Sequence, residues 1–262
     1  VKARQQAVTG QMQFFSHDGF ELAFIDEGEG DPILLIHGFA STHFVNWVAP
    51  GWVKTLRDAG YRVIALDNRG HGRSTKSHVR QDYTPDKMAD DAAALLDHLG
   101  IERAHVMGYS MGARIAAFLA LAHPNRVATL ILGGLGFGMV EGVGEWDIIA
   151  DALLAQDPES ITHARGRMFR NFADQTKSDR QALAACISTS RTLLGAHEVA
   201  RIRQPVLVAV GTRDDIAGRP ESLAAMLPQG EAFSIVDRDH MLAVGDKTFK
   251  ARALKFLASH PL

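Results

Sequence analysis

Short apolar runs recur along the chain at residues 21–25, 33–36, 62–66, 105–107, 127–132, 206–210 and 232–236, and amphipathic stretches separate most of them. Several of these runs are apolar at consecutive positions, the pattern of a strand covered on both faces. The stretches 52–59, 87–99, 111–122 and 247–257 have helical spacing, and Leu95, Leu96 and Leu99 give one of them an apolar stripe. Alternation of strand and helix predicts an α/β protein with a mostly parallel sheet and helices on both faces.

The rhythm breaks between residues 138 and 204, where the pattern is helical and no strand-like run occurs. A glycine-rich stretch, 133–144, precedes this segment and Pro205 follows it. Helices inserted between two sheet strands are most simply a cap over the carboxyl edge of the sheet, where open α/β folds bind ligands. The expected division is therefore a core of residues 1–137 and 205–262 with a helical cap, 138–204, inserted in it.

Composition agrees with this picture and narrows the partners. The chain has 262 residues, 46% hydrophobic and 22% charged, enough for a large core and a polar surface. Lys+Arg 28 against Asp+Glu 30 gives a net charge of -2, no reservoir of positive charge for phosphate, so nucleic acid is not an expected partner. No apolar run approaches the roughly 20 residues needed to span a bilayer, so no membrane partner is expected either. The single cysteine, Cys186, cannot form an intrachain disulfide and reads as a small buried apolar residue. Residues 1–10 are polar and lack the apolar stretch of a signal peptide, so a cytoplasmic location is expected. No heptad seam marks an interface, which leaves the oligomeric state open.

The sharpest chemical signal is Gly108-Tyr109-Ser110-Met111-Gly112, a G-x-S-x-G motif between a predicted strand and a predicted helix. A tight turn there projects the Ser110 hydroxyl away from the backbone, and the flanking glycines relieve crowding. A lone serine hydroxyl is a weak nucleophile and needs a base and a group to orient that base. The strand 206–210 leads into Gly211-Thr212-Arg213-Asp214-Asp215, and the next strand into Asp237-Arg238-Asp239-His240. Serine, carboxylate and imidazole thus follow in that order on loops at one sheet edge, with Asp214, Asp215, Asp237 and Asp239 all candidates for the acid. Other chemistries lack their residues: there is no H-E-x-x-H, no C-x-x-C, no Gly-Lys pair, and Gly134, Gly136 and Gly138 do not complete G-x-G-x-x-G.

With His37-Gly38-Phe39 after one strand and Asp67-Asn68-Arg69-Gly70-His71-Gly72-Arg73-Ser74 after the next, these motifs resemble the α/β-hydrolase fold over nearly the whole chain. The resemblance implies Ser110 as nucleophile, His240 as general base and acid, Asp214 as the orienting carboxylate, and the Phe39 and Met111 amides as the oxyanion hole. It implies His37, His71, Asp67 and Arg73 as supports of loops, with His43 approaching the pocket mouth. Neither a metal nor an organic cofactor is implied. Serine in place of an aspartate nucleophile separates the chain from haloalkane dehalogenases and epoxide hydrolases. Tyr109 and Met241 depart from the Asn and Trp usual in ring-cleavage C–C hydrolases.

The carboxylesterase, non-haem haloperoxidase and perhydrolase-like group is closest, and the expected partner is a small-molecule ester. Phe39, Phe137, Met139, Trp146, Leu153, Phe169 and Phe172 are candidates for an acyl pocket. Alternatives are a Ser-dependent C–C hydrolase or perhydrolase, and, outside the enzymes, a ligand receptor of the same fold.

Overall fold

A computed structural model describes residues 10–142, 144 and 146–262. The polar start read as leaderless thus lies, except for Gly10, outside the described residues. Eight strands form one sheet: β1 (Gln13–His17), β2 (Phe20–Glu27), β3 (Asp31–Ile36), β4 (Tyr61–Leu66), β5 (Ala104–Tyr109), β6 (Val127–Gly133), β7 (Val206–Gly211) and β8 (Gly230–Ile235). Their spatial order is β1-β2-β4-β3-β5-β6-β7-β8. From β4 to β8 every neighbouring pair is parallel, whereas β1 and β2 form an antiparallel hairpin that pairs with β4.

The central strands owe their unbroken apolar runs to burial on both faces. Side chains alternate across a strand. Leu34, Ile36, Ile64, Leu66, Val106, Leu130 and Val208 enter one core layer, which α2 (Pro85–His98) and α3 (Met111–Ala122) cover with Met88, Leu95, Leu96, Ile115 and Leu119. Ile33, Leu35, Val63, Ala65, Met107, Ile131 and Leu207 enter the other, under Trp52 and Leu56 of α1 (Trp52–Asp58). Between β6 and β7 come α4 (Gly138–Glu141), α5 (Trp146–Leu154), α6 (Ala164–Gln175), α7 (Arg180–Thr189) and α8 (Ala196–Val199), with no strand among the described residues. The chain ends with α9 (Pro220–Ala224) and α10 (Lys247–Ala258); the latter adds Phe249, Phe256 and Leu257 to the second layer.

Three details differ from the sequence expectation. Strand β1 was not foreseen, because Phe14 faces solvent and only Phe15 of the strand is buried, too short an alternation to stand out. Helix α2 begins two residues early, at Pro85, whose fixed φ suits a first helical turn. The last strand stops at Ile235, leaving Val236 70% exposed in the following turn.

Candidate active site

Ser110 sits between β5 and α3 at φ 55° and ψ −114°, a positive φ that a side-chain-bearing residue rarely adopts. Its N–H donates to the Gly133 carbonyl at 2.8 Å, which pins the turn to β6. The flanking glycines are needed for packing: a Cβ on Gly108 would lie 2.1 Å from the Gly112 carbonyl oxygen.

His240 approaches from the loop after β8. Its Nε2 lies 3.0 Å from Ser110 Oγ and its Nδ1 2.7 Å from Asp214 Oδ2. The carboxylate only accepts, so Nδ1 carries the hydrogen and Nε2 presents its lone pair to the serine hydroxyl. The other Asp214 oxygen accepts the N–H groups of Ile216 at 2.8 Å and Ala217 at 3.0 Å. This carboxylate is fully buried and fixed at both oxygens. The competing acids are placed elsewhere: Asp215 pairs with Arg165, Asp237 with Arg213, and Asp239 caps its own turn through the Met241 and Leu242 N–H groups.

In the sequence Tyr109 counts only as a motif residue that departs from the Asn of ring-cleavage C–C hydrolases, with no positioning role. Its hydroxyl donates to the His240 carbonyl at 2.6 Å, tying the elbow to the histidine loop. Burial pushes that phenol well above its ordinary pKa, so it stays a donor.

The loop bearing Phe39 rests on buried polar groups. His37 Nδ1 donates to the Gly38 carbonyl at 2.8 Å and Nε2 accepts the Asn68 N–H at 3.0 Å. His71 likewise donates to Arg69 O and accepts the Ala40 N–H. Asn46, which the motifs gave no reason to single out, accepts the Gly38 N–H at 2.8 Å. Asp67 receives the backbone N–H groups of His43 and Arg73 and the His43 ring; although burial raises its pKa, the His43 bonds prevail and hold it at about 2. His43 is therefore bound to Asp67 and does not line the cavity. Gly38 presses against the elbow, since a Cβ there would lie 3.1 Å from Tyr109 O and 3.4 Å from Ser110 Cβ. Met111 is the first residue of α3, so its N–H is one of those a helix start leaves without an intrahelical acceptor.

Each of these two histidines accepts an N–H on one ring nitrogen, so each must be neutral. Burial lowers His37 to about 4 and His71 to about 3, from 6.5. The unfolded chain therefore binds protons that the folded one refuses, and stability falls as pH drops from 6.5 toward those values. Each group costs up to roughly 1.4 kcal/mol per pH unit across its window. Thermal melts between pH 7.5 and 4.5 should show a progressively falling Tm. A flat Tm over that range would refute the neutral-histidine scaffold.

A cavity of about 130 Å³ opens beside Ser110 and His240. That is close to the volume of an engineered protein cavity that holds benzene, about 150 Å³. Of the acyl-pocket candidates, Phe39, Trp146, Phe169 and Phe172 line it, and the Phe39 and Phe169 rings lie 5.5 Å apart. Phe137, Met139 and Leu153 do not. Met139 and Leu153 are buried in the apolar core away from the cavity. Arg191, which the sequence reading missed, is a cationic member of the lining. Its only sequence signal is a basic residue just past the end of an apolar helix. Among the described residues no cluster of three or more His, Cys, Asp or Glu could hold a metal ion, and no helix is long and apolar enough to cross a membrane.

Comparison with known proteins places this geometry in context. Residues 31–165 match the family model of the alpha/beta hydrolase fold. The chain is 31% identical, over 88% of its length, to a dihydrolipoyllysine-residue acetyltransferase component of an acetoin cleaving system from Pseudomonas putida, and spans 64% of that protein. It is 30% identical, over 91% of its length, to a protein from Mycobacterium tuberculosis named as a non-heme bromoperoxidase, BpoC, and spans 98% of it. A crystal structure of a hydrolase from Pseudomonas aeruginosa PA01 superposes with a TM-score of 0.77 at 25% identity, covering 95% of this chain and 99% of that one.

Proposed function

The chain belongs to the alpha/beta hydrolase fold family, and on that premise we propose that it is a serine hydrolase that cleaves carboxylic esters of small to medium acyl groups. The observation that carries this reading is the unbroken chain of hydrogen bonds from Ser110 through His240 to Asp214. Neutral His240 takes the Ser110 proton as Oγ attacks the ester carbonyl, and Asp214 holds the imidazole and stabilises its charged form. The Phe39 and Met111 amides receive the developing oxyanion, a role that needs donors already aimed and free. Collapse releases the alcohol and leaves an acyl-enzyme on Ser110. Water activated by His240 then releases the acid.

In this reading the helical segment 138–204 is the cap of the site, supported by Trp146, Phe169 and Phe172, which line the cavity together with Ser110. A single cysteine, which leaves the chain without an intrachain disulfide, suits a reducing compartment, and on that ground the proposed location is the cytoplasm.

The test is steady-state hydrolysis of a series of aryl esters from acetyl to long-chain acyl. Turnover should peak at short acyl chains, because the cavity is small. Folded protein that turns over no ester in the series would overturn the reading.

A further inference from the structure

The cavity beside Ser110 is lined mainly by apolar and aromatic side chains, among them Phe39, Trp146, Phe169 and Ile216, yet Arg191 also lines it. Withdrawing a cation from water costs free energy unless it is paired, and among the described residues the buried arginines Arg69, Arg114 and Arg170 are partnered, whereas Arg191 is partly buried. Arg69 forms a two-pronged ion pair with Asp91, and Arg170 is bonded to Asp174 and to the carbonyls of Ala152 and Ala155. Arg114 is consumed by the carbonyls of Gly138, Met139 and Thr192.

Arg191 has no such compensation. Its Nε is buried without a hydrogen-bond partner. Among the described residues no carboxylate lies within 4.0 Å of its guanidinium. One face is stacked on Trp146, the guanidinium carbon 3.2 Å from the ring centroid, which fixes the orientation of the fork without neutralising it. The end of α7, just before it, offers only partial compensation. Burial, with Arg114 nearby, lowers the Arg191 pKa to about 9, so the group remains a cation at neutral pH.

We propose that Arg191 is the anion-binding group of the acyl pocket, so that the preferred substrate is a small ester whose acyl chain ends in a carboxylate. The inference rests on the esterase reading for its chemistry and on Arg191 alone for its specificity. A carboxylate matches the guanidinium fork with two parallel hydrogen bonds, and its single negative charge balances a single cation. Ser110 and Arg191 line one cavity with apolar side chains, which suit the methylenes that join the two ends of such an acyl group. A neutral ester of the same length leaves the cation unpaired, so the pocket discriminates against it.

Two methyl esters of equal acyl length separate the cases: monomethyl glutarate, which carries the distal carboxylate, and methyl pentanoate, which does not. Acid release gives kcat/KM for each with the wild type, Arg191→Gln and Arg191→Lys. The wild type should favour the charged ester, and the charged-to-neutral ratio should fall roughly 10- to 100-fold in Arg191→Gln, with Arg191→Lys between them. A ratio unchanged by either substitution, or a wild type that favours the neutral ester, overturns the proposal.

Calorimetric binding of monomethyl glutarate to Ser110→Ala, with and without Arg191→Gln, separates this inference from the esterase reading. Binding that disappears with Arg191→Gln while the wild type hydrolyses neither ester sustains the anion site and overturns the esterase. Hydrolysis of both esters without a charge preference does the reverse. If Arg191→Gln does not fold, Arg191→Lys carries the same comparison.

Discussion

Ser110→Ala is expected to lower kcat for aryl esters by roughly 10⁴-fold or more while the protein stays folded. The substitution removes only Oγ. Ala has the same Cβ, so the elbow keeps its shape, the Ser110 N–H bond to Gly133 has its counterpart, and the packing of Gly108 and Gly112 is untouched. What is lost is the atom 3.0 Å from His240 Nε2, and with it the covalent route. Water held by His240 near the oxyanion donors supplies only the residual rate that such sites show without their nucleophile. Two measurements check this. Steady-state turnover gives the loss, and mass spectrometry of wild type quenched during turnover of a slow ester should place the acyl group on the peptide containing Ser110. A variant that retains more than a tenth of the wild-type kcat, in a preparation free of other esterases, would remove Ser110 from the proposed mechanism.

The sequence made the sheet and the reacting groups legible for different reasons. Strands β3 to β7 were visible because burial on both faces demands consecutive apolar residues, as in Ile33-Leu34-Leu35-Ile36. Strand β1 was not, because an edge strand with one buried residue carries almost no periodic signal. The three residues Ser110, Asp214 and His240 stood out because each follows a strand at the same sheet edge, where the topology alone brings them near one another. The choice of Asp214 over Asp215 could not be made from adjacency: it depends on which carboxylate turns inward, and the Ile216 and Ala217 amides decide that.

Residues that act through a single distant contact were silent. Tyr109 reaches the His240 carbonyl 131 residues away, and Asn46 reaches back to Gly38 from a helical turn with no motif. The acyl-pocket candidates were half placed, because an apolar residue on these helices has two apolar destinations, the cavity wall and the packed core away from it. Met139 and Leu153 took the second, and hydrophobicity alone does not distinguish them from Phe169.

Gly112→Ala should damage the protein severely. An added Cβ would lie 2.0 Å from the Ile36 carbonyl oxygen, 2.6 Å from its carbon and 2.7 Å from the His37 carbonyl oxygen. These are backbone atoms at the end of β3, hydrogen-bonded in register to β4 and β5, so no rotamer change can absorb the clash. Either α3 lifts from the sheet or the end of β3 moves. The first uncovers Ile115 and Leu119 of the core, and the second displaces Gly38 and Phe39 from beside Ser110. The cost should exceed roughly 4 kcal/mol, the range reached when packing fails in the core. For a chain of this size that corresponds to a Tm lowered by about 10 °C or more. Gly195→Ala is the control, because Gly195 has φ −72° and a Cβ there would find only Glu198 Oε2 at 3.6 Å. It should cost about 1 kcal/mol or less. Thermal melts of both variants decide the matter: a Gly112→Ala protein melting within a few degrees of wild type would mean that α3 and β3 are not in the direct backbone contact on which the serine's position depends.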